Sequence, residues 1–361
     1  MGRPAGWIWI EAHAVQDAVF SSLSGNGLPG PAGSGLRYRA LDTTWELASE
    51  PDVSARMWAD RLSVRLSVPW ADLTVGRQAI SFGQAYFWNP LDIFLPFDPK
   101  SFDRDYKPGV DAVKLDLPLG PFAGINVVGA AGREIDAAGA YAGRERSGCS
   151  WYGSAFLARV FAGIGGWDLA VQGGKVYGGW QAGGGIAGEA GPIEVRGEAA
   201  YLKALPGGAR VPLPPPDDKE LLDDRLEAVV GTGRRLTPEL QVEVEYLYNG
   251  AGLPRSLAAA AYRVGSGNSL GLSRHLAGAT VAWEAHPLLN LRLSVLVSPA
   301  DGSGTVGPGL TASLSNESEF LAGAQIASGR RPVAVSGGRS APGSEYGGYP
   351  HLIYGEFKFY F

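Results

Sequence analysis

Between Arg61 and Val68 the chain alternates without interruption, and this pattern, repeated from end to end, restricts the fold more than any other feature. Leu62, Val64, Leu66 and Val68 fall on one side of an extended backbone, with Arg61, Ser63, Arg65 and Ser67 on the other. Successive side chains of a strand point to opposite faces, so the period of two reads as strand. It returns in 113–117, where Val113, Leu115 and Leu117 oppose Lys114 and Asp116. In 193–199, Ile193, Val195 and Ala199 oppose Glu194, Arg196 and Glu198; in 241–248, Val242, Val244, Tyr246 and Tyr248 oppose Gln241, Glu243 and Glu245. In 291–298, Leu291, Leu293, Val295 and Val297 oppose Arg292, Ser294 and Ser298. Helical periodicity is nearly absent. The chain reads as all-β, with full charges on one face of strand after strand. A soluble sandwich turns such charges outward. A transmembrane barrel turns them toward a watery lumen and presents the apolar face to lipid.

Connection lengths separate the two. Reading back from the C-terminus, long connections near 329–350, 251–272, 206–220 and 132–149 mostly alternate with short ones near 316–319, 286–290, 236–239, 190–192, 162–166 and 118–121. Short turns at one rim and long loops at the other belong to a barrel that crosses a membrane. Composition agrees: 53 Gly and 25 Pro supply turns, while 10 Trp and 14 Tyr suit a membrane interface. Apolar residues are 45% of the chain, yet no stretch approaches the roughly 20 needed for a helical span. Sixteen or seventeen strand candidates can be counted. A single-chain barrel takes an even number, so the expectation is one antiparallel barrel domain over 1–361 with about 16 strands, 14 to 18 being tolerated.

Other features exclude rather than assign. A net charge of −5 with no run of Lys and Arg gives no footing for nucleic acid. The lone Cys149 excludes an internal disulfide and a CxxCH haem attachment, and no cofactor is expected. His13, His275, His286 and His351 lack metal-ligand spacing, and no GxSxG motif occurs; His275 beside Ser273 is the minimal hydrolase candidate. Gly183-Gly184-Gly185 lacks the strand-to-helix setting of a phosphate loop and reads as close packing or bending in curved sheet. The tract Arg210–Asp218 reads as a stiff polyproline-like loop, and 332–350 as a mobile one. No cleavable leader precedes the strand-like Trp7–Glu11, so the numbering is read as beginning at a mature or truncated start.

The last strand ends in Phe357-Lys358-Phe359-Tyr360-Phe361, with Phe357, Phe359 and Phe361 on one face. It resembles the C-terminal signature of Gram-negative outer-membrane barrels. That resemblance implies an outer-membrane location and recognition of Phe361 by the barrel assembly machinery.

The insertion 82–109, between strands expected at 73–81 and 110–118, is unlike the polar loops. Phe82, Tyr86, Phe87, Trp88, Phe94 and Phe97 crowd sixteen positions, and Pro90, Pro96 and Pro99 stiffen the backbone. So much apolar surface needs a wall to pack against. Gly76-Arg77-Gln78, Trp88-Asn89-Pro90-Leu91-Asp92 and Asp103–Asp111 together resemble a porin-like outer-membrane family, over about residues 61–120. The resemblance implies fold and location but no substrate; folded inward, the insertion would narrow a pore as the third loop of general porins does. Arg61, Arg65, Arg77, Asp92, Asp98, Asp103, Arg104, Asp105, Lys107 and Asp111 are the expected site residues, as anchors of the loop or as the lining of a constriction. Lys100 belongs with them on charge alone. The expected function is passive diffusion of small hydrophilic solutes or ions. The alternatives are a sheath or scaffold for a partner in an electron-transfer or export complex and, further off, an outer-membrane enzyme. Lipid and solutes or ions are the expected partners; a homo-oligomer and a periplasmic partner stay open.

Overall fold

The computed structural model describes residues 6–20, 38–50, 53–94, 107–132, 149–205, 224–252, 270–335 and 339–359. Its strands are β1 (Trp7–Phe20), β2 (Thr44–Glu50), β3 (Val53–Val68), β4 (Ala71–Gln78), β5 (Val110–Pro118), β6 (Ala123–Ala130), β7 (Ala155–Ile164), β8 (Trp167–Val176), β9 (Gly179–Ala190), β10 (Ile193–Ala204), β11 (Arg225–Thr237), β12 (Leu240–Asn249), β13 (His275–His286), β14 (Leu289–Ser298), β15 (Ser303–Ser315), β16 (Ser318–Ser328), β17 (Val333–Val335), β18 (Arg339–Ala341) and β19 (Leu352–Phe359). Seventeen share one antiparallel sheet; β17 and β18 form a separate hairpin.

The wall is built by nearest neighbours. β1 pairs with β3, and from β3 each strand pairs with the next as far as β16, which pairs with β19. That is a sixteen-strand antiparallel barrel wall plus β2, so the odd candidate of the sequence count is β2. It lies along the first half of β3, Thr44 opposite Trp58 through Glu50 opposite Val53, on the edge that β4 takes lower down. β1 begins and β19 ends at the same rim, where the short turns 69–70, 165–166, 191–192, 238–239, 287–288 and 316–317 also lie.

The alternation becomes two environments. Val64, Val75 and Val113, opposite one another on β3, β4 and β5, are each 47% exposed and face outward. Ser63, Thr74 and Ala112, one residue away, are buried and face inward. From the row that joins Leu115 on β5 to Tyr201 on β10 down to the short turns, outward positions carry no Asp, Glu, Lys or Arg; one row higher, level with Val113, Lys175 of β8 donates to the Tyr152 and Ser154 carbonyls at the upper rim. The apolar band continues into the short-turn rim, where Trp70, Leu119, Phe122, Ile164, Leu288 and Leu314 are exposed. A surface of this kind cannot be left to water at low cost, at roughly 25 cal/mol for each Å² of apolar area.

β4 stops at Gln78, short of the expected 81. Above it, β2 occupies the edge of β3, and the amide of Asp111 on β5 donates to the Tyr38 carbonyl (2.8 Å), so the edges that β4 leaves there are taken up. The expectation for 332–350 also needs correction. Ser344, Glu345 and Tyr346 are buried, and Glu345 accepts the Ser273 amide (2.6 Å), so this part of the loop is held by packing.

Candidate functional site

The segment after β4 crosses to the far side of the barrel and is tied there by two carboxylates. Glu198 on β10 and Glu245 on β12 sit at inward positions of their alternating strands, both buried. Glu198 accepts the amides of Gln84, Ala85 (2.9 Å) and Leu91 (3.3 Å). Glu245 accepts those of Tyr86 (2.6 Å), Phe87 (2.9 Å) and Trp88 (2.9 Å). Glutamines hold the carbonyls: Gln172 on β8 donates to Leu91 (2.8 Å) and Gln181 on β9 to Pro90 (3.2 Å). The backbone of a loop without ladder partners is thereby satisfied by wall side chains, without which its burial would cost several kcal/mol.

Apolar side chains of the segment enter places where the wall has glycine. A Cβ on Gly183 or Gly185 of β9 would lie 2.7 and 3.1 Å from Leu91, and one on Gly278 of β13 would lie 2.7 Å from the Phe87 ring. The β9 glycines thus make room for a knob from the loop. Phe87 and Trp88 pack with Val229, Leu247, Leu276 and Leu296 of β11–β14, and Tyr346 joins them from the loop before β19. Ile80, Phe82 and Phe94 pack with Tyr38, Val128 and Leu157 on the other side. Two loops therefore fill the upper interior beside β5–β14. Inward side chains on β1, β3 and β19, such as Trp9, Arg65 and Glu356, stay exposed.

The expected site residues separate into groups. Asp92, within the insertion, and Lys107, near its C-terminal end, form a buried ion pair, and Asp92 also accepts the Ser81 hydroxyl (3.1 Å). Burial pushes the Asp92 carboxyl up and the Lys107 ammonium down, each partner opposing the other's shift. Arg61 donates to the Lys107 carbonyl. Asp60 accepts the Gly109 amide (3.0 Å), Arg39 donates to both Asp60 and the Gly109 carbonyl (3.0 Å), and a Cβ on Gly109 would lie 2.2 Å from the Asp60 carbonyl, so only glycine fits there. Arg65 is exposed on the inner face and touches Thr74 (3.3 Å). Asp98, Lys100, Asp103, Arg104 and Asp105 lie outside the described residues, as do Phe97, Pro96 and Pro99, the tract 210–218 and Phe361.

Arg77 and Asp111 stand apart from the interior. Gly76 has φ +119°, and a Cβ on it would lie 2.3 Å from the Leu62 carbonyl; this glycine turns Arg77 into the junction between β2, β3 and β5. There Arg77 donates twice to Asp111 (2.7 and 2.9 Å), and to Thr43 (2.6 Å), the Ala59 carbonyl (2.8 Å) and the Leu41 carbonyl (2.5 Å). Every guanidinium N–H is used. Its place is structural wall.

Sequence reasoning passed over Glu198, Glu245, Gln172 and Gln181. The available signal was that both glutamates sit on charged faces beside glycine-bearing strands: Gly185 faces Glu198 and Gly231 faces Glu245. Lower on the wall, Lys114–Asp116 (3.0 Å), Asn126–Asp116 (2.6 Å) and Arg159–Asn126 (3.3 Å) form an inner polar row, and Arg196 bridges to Glu243 (3.0 Å). Ser273 and His275 have different partners: Ser273 accepts from Ser298 (2.9 Å), and His275 meets Tyr246 (2.6 Å).

No protein-family model matches the chain, and no curated relative matches it. Among solved structures it is similar to OccD3 of Pseudomonas aeruginosa, at 9% identity and TM-score 0.48, over 84% of this chain and 78% of that one. It is also similar to a mutant of the Rhodopseudomonas blastica porin, at 11% identity and TM-score 0.44, over 98% and 99%. A third likeness is to an anion-selective porin from Comamonas acidovorans, at 10% identity and TM-score 0.42, over 97% and 98%.

Proposed function

We propose that this chain is an outer-membrane channel through which small hydrophilic solutes or ions diffuse passively, narrowed by the inward loop after β4. The observation that carries the reading is the contrast between the two faces of one wall. The outer face of β5–β10 is uncharged between its rims, while the inner face carries Lys114, Asp116, Arg159, Glu194 and Arg196. Lipid tolerates the first face and water the second. The lumen supplies a wall, a field and a diameter, and the reading contains no catalytic step.

Single-channel conductance in a planar bilayer tests this, comparing the full chain with a variant lacking residues 84–106. Discrete steps that grow when the segment is removed support a pore with an internal constriction. Insertion without conductance in both proteins sinks the channel and favours a sheath around a partner.

A further inference from the structure

The loop's hold on the wall depends on charge. Six backbone amides converge on two carboxylates, three on Glu198 and three on Glu245. Ionised, each carboxylate offers acceptor sites on both oxygens. Protonated, one oxygen becomes a donor among groups that are themselves donors, and the arrangement is frustrated. None of the ion pairs among the described residues includes either glutamate.

The surroundings are sparse in charge. Arg159 of β7 and Asp92 of the loop act electrostatically on Glu198; Arg196 of β10 acts on Glu245, and Glu243 lies two residues away on the same strand. β8 and β9 present Gln172, Gln181 and Gly185; β11 presents Gly231, with Glu227 higher up, and β13 presents Gly278. The base of the loop is fastened separately, through Asp92–Lys107 and Asp60–Gly109. Segment 84–91 has the means to leave the wall while its ends stay attached.

We propose that Glu198 and Glu245 form a charge-dependent latch, which holds segment 84–91 against β10 and β12 when ionised and releases it in acid, changing the conductance of the pore. The conductance half rests on the channel reading; the latch itself does not. Hydrogen exchange of the amides of Gln84–Trp88 in the full-length barrel, as protection factors at neutral and acidic pH, reads the latch directly. In E198Q/E245Q at neutral pH those protection factors fall on the order of 100-fold, the scale of two lost charge-assisted contacts. Wild type approaches the same values in acid, and the variant's conductance becomes insensitive to pH. Protection in the variant equal to wild type overturns the proposal, as does an unchanged conductance–pH profile. If the double variant does not fold, E245Q alone must expose Tyr86, Phe87 and Trp88 and leave Gln84 and Ala85 protected; uniform loss across all five refutes a two-point latch. Wild type that never conducts defeats the channel reading, and the exchange result still decides the latch.

Discussion

Replacing Arg77 by alanine removes five hydrogen bonds at once and strands Asp111 at the junction of β2, β3 and β5. The bidentate pair has both partners largely covered, with side-chain exposures of 4% and 13%. Breaking a buried pair from one side costs about 3–5 kcal/mol, most of it from the charge left behind. The Thr43, Ala59 and Leu41 contacts add to the loss, since two main-chain carbonyls lose a charged donor. The expected destabilisation of R77A is therefore at least about 3 kcal/mol. R77K falls between it and wild type, because an ammonium keeps the charge but cannot reproduce the planar fork. Removing both partners in R77A/D111A recovers part of the loss, with a coupling of about 2 kcal/mol. Urea unfolding of the barrel in lipid, followed by Trp fluorescence, reads these values; Trp45 and Trp58 of β2 and β3 lie beside the junction. R77A within about 0.5 kcal/mol of wild type would show that the network adds nothing to wall stability and refute the argument.

Three further outcomes follow from the same geometry. G278V places methyls where Phe87 already sits, so overpacking of about 1–3 kcal/mol is expected, with the altered loop visible in Trp88 fluorescence; an unchanged spectrum would count against the pocket. D92N and K107M should each cost several kcal/mol by leaving a buried charge, whereas D92L/K107M should lie near wild type, and additive losses in urea unfolding would contradict that. Burial raises the Asp301 carboxyl, but bonds from Ser303 and the Glu345 amide outweigh it and hold it below its ordinary value of 3.8. A depressed carboxylate stabilises above its unfolded value and loses that contribution as pH falls through the folded one. The Glu345 amide should thus stay protected from exchange down to about pH 4 and open only below it, and opening near neutrality would refute the assignment.

The legible part of this protein is the part governed by local rules. Opposite faces of a strand follow from backbone geometry, so 61–68, 113–117 and 291–298 declared both their conformation and their two environments before any partner was known. Sixteen wall strands are within one of the count from alternation, and β2 is the extra one because it shares an edge with β4. The aromatic insertion declared that it needs a surface. Which surface it meets was not legible: Gln84 and Glu198 are 114 residues apart, and Tyr86 and Glu245 are 159 apart. Alternation marks Glu194, Glu198, Glu243 and Glu245 alike as polar-face residues. Only the curvature of the wall brings two of them under the loop, and only the packing of Leu91 and Phe87 against glycines sets which two. Arg77 shows the same limit at short range. One glycine with φ +119° turns it into a wall junction, away from a lumen that its charge alone would have assigned it. Sequence periodicity decided strands and faces because those depend on neighbours along the chain; tertiary structure decided the contacts because those depend on neighbours across the barrel.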